Sequence, residues 1–288
     1  MGGESTTGAG GASPCAYQGS FYITNESDRL TISSYCEITG DLGISTWNMA
    51  EVALPALQNV HGDLWLGPDF NKALTTLSLP ALTHARNIWF NYGPDHFTSL
   101  DLSSLTTVDE DFYITGGDNL AVSLPALQSV GGRFSIYWGM TTLDAPSLES
   151  VGTVFELTNL TTLNVPALTT VGSSIAFYHM QSSVLDFPAL VSIGAGAPPP
   201  LSTALDLDPD AEFGICHPGD SHPFLAAIHF PLLTNLGPSN TGIFNIGNNP
   251  LLPQCQIDAL ASQLQGAGWT GSVQVSDPVG CQTSSTCP

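Results

Sequence analysis

One phrase recurs along the chain at nearly constant spacing: an apolar residue, Pro, Ala, Leu. It stands intact at 54–57, 79–82 and 124–127, and in variant form at 145–148, 165–168, 187–190 and 230–233. Leu102-Ser103-Ser104-Leu105 fills the same slot without the proline. From slot to slot the steps are 25, 23, 22, 21, 20, 22 and finally 43 residues, the last equal to two repeats, one of which carries an insertion. A unit this short cannot bury its apolar face alone, so eight copies in one register demand stacking of one repeat on the next.

Read onward, each unit continues as Leu-x-x-Val-Gly, a few residues, and then two apolar positions separated by one residue. Alternation of this kind marks short strands with one face turned to a core. The inward pairs are Phe21/Ile23, Leu42/Ile44, Leu64/Leu66, Phe112/Ile114, Phe134/Ile136, Phe155/Leu157 and Ile175/Phe177. A second inward series is Leu77/Leu79, Leu100/Leu102, Leu143/Ala145, Leu163/Val165 and Leu185/Phe187. Proline, which cannot donate into a ladder, belongs at the corners. The expected fold is all-β: a parallel solenoid of about ten coils, about 50 Å long at a strand spacing of about 4.8 Å. Residues 1–14 are rich in Gly, Ser and Thr and read as a flexible tether. Residues 15–250 form the solenoid, with an insertion at about 195–229, and 251–288 form a C-terminal cap and disulfide tail. In that cap Ile257, Leu260, Ala261 and Leu264 have helical spacing, with Gly266 just past the end and Trp269, Val273 and Val275 completing the lid.

Charge narrows the partners. Four Lys and Arg stand against 25 Asp and Glu, a net charge of -21, and the cations Arg29, Lys72, Arg86 and Arg133 are scattered. Neutralising phosphates takes clustered cations, so nucleic acid is excluded as a partner. No apolar run reaches the roughly 18 residues of a membrane span, so no membrane insertion is expected. Six cysteines lie near the ends and in the insertion, none as Cys-x-x-Cys. We expect Cys15 and Cys36, which flank the first coil, to pair. Cys216, Cys255, Cys281 and Cys287 are expected to form disulfides whose pairing stays open. Such bonds suit an oxidising compartment, so the expected location is extracellular or on the outer cell surface, with a tether through a removed N-terminal signal as a further expectation.

Chemistry falls to the residues between the inward pairs, which point outward. On the first sheet they read Tyr22, Gly43, Trp65, Trp89, Tyr113, Ser135, Glu156, Ala176, Asp206 and Asn245. The Trp89 coil needs a one-residue deletion in its turn to keep this register. Tyr92, Tyr137, Trp138 and Tyr178 lie one or two residues further along the same edge. Tyr22, Trp65, Trp89, Tyr113, Tyr137 and Trp138 are therefore the candidate ligand-binding residues, because a contiguous exposed aromatic strip suits stacking on sugars or docking a protein. The same rings could instead serve only to zip the sheet together. On the second sheet the outward column is Ser78, Asp101, Ser123, Asp144, Asn164 and Asp186, an acidic, solvated face.

Asp206, Asp208, Asp210 and Glu212 make an acidic run, but a calcium loop would want Gly and Glu where Ala211 and His217 stand. Asp206, Asp208 and Asp210 remain the candidate calcium ligands, and no other cofactor is expected. No Gly-x-Ser-x-Gly elbow, His-Glu-x-x-His or phosphate loop is present, so the chain is not expected to be an enzyme.

The Leu-Pro-Ala-Leu-x-x-Val-Gly series, opened by Ile38-Thr39-Gly40-Asp41-Leu42, resembles the receptor L-domain family. The stretch from Ile246 to Cys255, Ile-Gly-Asn-Asn-Pro-Leu-Leu-Pro-Gln-Cys, is closest in kind to its secreted bacterial members. The resemblance covers about residues 15 to 281 and implies a right-handed, β-helix-like leucine-rich solenoid used for recognition outside the cell. Growth-factor binding does not carry over, because the cysteine-rich module, membrane span and kinase of the animal receptors are missing here. The expected function is non-enzymatic recognition of a glycan or a surface protein across the aromatic column. The alternatives are a structural envelope or adhesion component without a discrete ligand, and a β-helix enzyme acting on polysaccharide.

Overall fold

The computed structural model describes residues 15–67, 73–93, 97–116, 119–137, 139–195, 203–207, 225–246, 249 and 251–275. These form a parallel β-solenoid, every paired strand lying beside its equivalent one coil away. One long ladder runs through Phe21–Ile23, Leu42–Ile44, the ends of Asn59–Leu66 and His84–Gly93, Phe112–Gly116, Phe134–Tyr137, Val154–Thr158, Ser174–Tyr178, Thr203–Leu207, Ile243–Ile246 and Val273–Val275. A second ladder of two-residue strands, such as Ser129–Val130 and Ser150–Val151, joins it around a corner, and together they make one 19-stranded sheet. The third side is split into sheets of three, three and two strands.

The recurrent phrase is a tight turn. In every copy the carbonyl of its first residue accepts from the amide of its fourth, as from Leu57 to Leu54 at 3.2 Å and from Leu82 to Leu79 at 3.0 Å. Proline therefore sits at the second turn position, where its fixed φ is already correct and its missing amide is not needed. The Val-Gly that follows has a different cause. A Cβ at Gly152 would run into the Gly131 carbonyl of the preceding coil, and one at Gly172 into that of Gly152. Only glycine lets the coils close up at that corner.

The inward series form the core. Of all the pairs named above only Phe21, Leu100 and Leu163 are less than fully buried. Phenylalanines stack along the axis within it, with centroids of Phe112 and Phe134 at 4.8 Å, Phe134 and Phe155 at 5.3 Å, and Phe187 and Phe230 at 5.2 Å. The Trp89 coil does hold register by a one-residue deletion: Val60 pairs with Ala85, yet Asp63 pairs with Asn87 and Trp65 with Trp89.

Of about ten coils, eight have strands on all three sides. At each end a helix replaces the third-side strand. Helix α1, Glu26–Ile32, escaped the sequence reading, although Asn25 accepts from the Asp28 amide at 3.2 Å as an ordinary N-cap. Helix α2, Gln254–Gly266, is the expected cap and buries Ile257, Leu260 and Leu264. Gly266 is its last residue rather than lying past it, and Gly268, with φ +91°, makes the left-handed exit instead. Both helices satisfy a bare strand edge with side chains. Arg29 Nη1 donates to the Ala53 carbonyl at 3.3 Å at one end. At the other, Gln256 accepts from the Ile228 amide at 2.9 Å and donates to the Ala226 carbonyl at 3.3 Å. Edges covered in this way cannot template further pairing.

Cys15 and Cys36 are bonded, with Cα atoms 5.4 Å apart, and tie the first coil to the second. Cys255 is also disulfide-bonded. Cys216, Cys281, Cys287 and the 1–14 tether lie outside the described residues. No helix among the described residues is long and apolar enough to cross a membrane.

Candidate functional site

The outward column of the long ladder falls in register throughout. Tyr22 pairs with Gly43, Gly43 with Trp65, Trp65 with Trp89, Trp89 with Tyr113, Tyr113 with Ser135, and Ser135 with Glu156. Tyr22 and Trp89 are the most open, 52% and 41% exposed, while Trp65, Tyr113 and Tyr137 are half-buried. The rings touch in two groups: Tyr22 and Trp65 at 6.0 Å, then Trp89 and Tyr113 at 5.6 Å with Tyr113 and Tyr137 at 5.5 Å between centroids, while Trp65 and Trp89 are backbone neighbours across the ladder.

Two details shape this strip. Gly43 lies between Tyr22 and Trp65, and the two rings lean together over it in an edge contact. A Cβ there would come within 2.6 Å of Trp65 Cζ2 and 2.7 Å of Tyr22 Cδ1. Further along, the column proper carries the small Ser135 after Tyr113, and Tyr137 from the next outward row continues the aromatic line. Burial, then a hydrogen bond to the Glu156 carboxylate and its charge, push the Tyr137 hydroxyl well above the usual phenol range. It is a protonated donor at any physiological pH. Separations near 5.5 Å are shorter than coplanar neighbours can reach, and the planes are inclined by 30 to 61°. The strip is a shingled ridge and not a flat platform. Trp138 and the side chain of Tyr92 lie outside the described residues.

Sequence reasoning missed what flanks the rings. Two residues upstream on the same face runs a polar row: Ser20, Asp41, Asp63, Asn87, Asp111 and Arg133. Asp41 Oδ1 accepts from the Asp63 amide at 2.9 Å, and Asp111 Oδ1 from the Arg133 amide at 2.7 Å. Asp63 Oδ1 accepts from Asn87 Nδ2 at 2.9 Å and Arg86 Nη2 at 2.7 Å. Burial raises the Asp63 carboxyl, but the Asn87 and Arg86 hydrogen bonds and the Arg86 charge outweigh it and hold it below the ordinary carboxylate range. Around the corner Asn87 Nδ2 also donates to Glu110 at 2.9 Å, His84 pairs with Asp109 at 3.0 Å, and His61 pairs with Glu37. Alternation was the available signal, since each polar residue precedes a position of the outward column by two.

The acidic column of the third side is relieved by neighbouring donors. Asn164 donates to Asp144 at 2.6 Å, Ser78 to Asp101 at 3.4 Å, and His229 pairs with Asp186 at 2.7 Å. Of the calcium candidates, Asp206 has its backbone in the Thr203–Leu207 strand, while its side chain and all of Asp208 and Asp210 lie outside the described residues. Among the described residues no group of three His, Cys, Asp or Glu side chains is placed to hold a metal ion. A cleft of about 200 Å³ lies between α2 and Ala227–His229. Its polar walls are Gln256 and Gln263, bonded to backbone, and His229, held by Asp186. No protein-family model, curated protein or solved structure matches the chain.

Proposed function

We propose that the chain is a non-enzymatic recognition solenoid, working outside the cell, that docks a glycan or a surface protein across its aromatic row. The observation that carries this reading is the aromatic row: Tyr22, Trp65, Trp89 and Tyr113 are held in register on one sheet, Tyr137 extends them from the next row, and Tyr22 and Trp89 are exposed to solvent. Contiguous apolar surface of this kind is costly to leave bare and is characteristic of interaction sites. Because the ladder fixes the rings beforehand, little side-chain freedom is lost on binding. The Cys15–Cys36 bond suits an oxidising exterior. The resemblance to receptor L-domains points in the same direction.

A glycan and surface-protein binding screen with wild type and the Trp65→Ala, Tyr113→Ala double variant tests the proposal. Binding lost in a folded variant supports it, and binding unchanged rejects the row as the site. The inclined, half-buried rings favour a second reading, in which the row chiefly zips an envelope or adhesion component together. That reading expects the double variant to lose stability while every binding signal survives.

A further inference from the structure

The charges beside the rings narrow the partner further, on the reading of the strip as a docking surface. Asp41, Asp63 and Asp111 line one border, Glu37, Asp109 and Glu110 lie around the corner from it, each held by the bonds described above, and Glu156 closes the far end. Arg86 and Arg133 are the cations set among these seven carboxylates. The bonds to Asp41, Asp63 and Asp111 all use Oδ1, so Oδ2 of each meets no donor among the described residues. The rings shingle, which removes the broad plane a sugar chain would stack on. A guanidinium needs only one ring face within about 6 Å, and a carboxylate with a spare oxygen gives it a second, charge-assisted anchor. A chain with net charge -21 also draws a cationic partner from a distance.

We infer that the strip receives a basic, arginine-rich segment of a partner protein. Its guanidiniums pack against Trp89, Tyr113 and their neighbours while reaching across to the Asp41–Asp63–Asp111 row. Anionic partners are repelled, and neutral ones gain nothing from the row.

Titration calorimetry with three probes tests this: an oligoarginine peptide, its citrulline counterpart of equal shape but no charge, and a soluble neutral β-glucan. The oligoarginine peptide alone is expected to bind. Its affinity should fall about tenfold in the Trp89→Ala, Tyr113→Ala variant and about tenfold in Asp41→Asn, Asp111→Asn, which keeps the Oδ1 acceptors and hence the fold. The remote Asp144→Asn, Asp186→Asn variant should bind like wild type. Ring-dependent binding of the glucan or the citrulline peptide would overturn the charge assignment while leaving the strip as the docking surface. Oligoarginine binding that ignores the ring variant and weakens with the remote one would be diffuse attraction and would overturn both. Failure of oligoarginine to bind at all overturns the inference as well.

Discussion

Gly43→Ala is the sharpest probe of how the strip is built. The new methyl carbon would stand 2.6 Å from Trp65 Cζ2, 2.7 Å from Trp65 Cε2 and 2.7 Å from Tyr22 Cδ1. Carbon atoms settle at about 3.5–4.0 Å, so both rings must retreat by about 1 Å. Overpacking of this size costs about 1–3 kcal/mol in a closed core. Here the rings can swing toward solvent, and what they then lose is their mutual edge contact, about 0.5–1.5 kcal/mol. Against this, alanine restricts the unfolded chain more than glycine, a gain of about 0.5–1 kcal/mol. The net expectation in the wild-type background lies between a gain of about 0.5 kcal/mol and a loss of about 1 kcal/mol. In a Trp65→Ala background the obstacle on that side is gone, and the same substitution should become stabilising. Urea unfolding of the four proteins in the cycle measures the coupling directly. Equal effects in both backgrounds would refute the claim that Trp65 leans over Gly43.

Other consequences follow from the core, the caps and the charges. Phe155→Ala removes a ring in contact with Phe134, Phe177 and Phe187, and should cost about 3–5 kcal/mol in thermal or urea unfolding. Gln256→Ala leaves the Ile228 amide and Ala226 carbonyl without their partner, an expected loss of about 1–3 kcal/mol, with faster hydrogen exchange at Ile228 as its local signature. Opening the Cys15–Cys36 bond, whose partners are 21 residues apart, should cost about 3 kcal/mol and loosen the first coil before the rest. Asp63 binds its proton less readily folded than unfolded, so its contribution is present above the unfolded carboxyl pKa and is lost as pH falls through the folded one. Asp63→Asn should therefore match wild type in acid, where the carboxyl is protonated in both states, and fall below it at neutral pH by a small amount, since a half-exposed ion pair is worth little.

How much of this was legible beforehand depended on periodicity. The Pro-Ala-Leu turn, the inward pairs, the outward ring column and the one-residue deletion before Trp89 all repeat, and a repeat reports its own register. What broke the repeat was harder to read. Helix α1 spans seven residues with Ile32 as its one buried position, so it carries no helical stripe, and only Asn25 with Asp28 marked its start. Helix α2 runs one residue further than expected and exits at Gly268 instead of Gly266, because the two glycines are equally plausible stops in sequence, and the left-handed exit is set by where Trp269 must be buried. At the strip, spacing gave the order of the rings but not their inclination, which depends on Gly43 having no side chain and on Tyr137 crossing from the next row. The acid row beside them was in view as individual residues. It becomes a feature only when the corner folds Asp41, Asp63, Asn87 and Asp111 into one hydrogen-bonded line.

Hydroxyl-radical footprinting, with and without the strongest binder from the screen, asks the decisive question of the intact protein. Protection is expected at Tyr22, Trp65, Trp89, Tyr113 and Tyr137 together, while Trp47, 64% exposed and not a member of the outward column, reacts as before. Protection of Trp47 or of the third side, with the five rings labelled as in the free protein, would contradict the row as the docking surface.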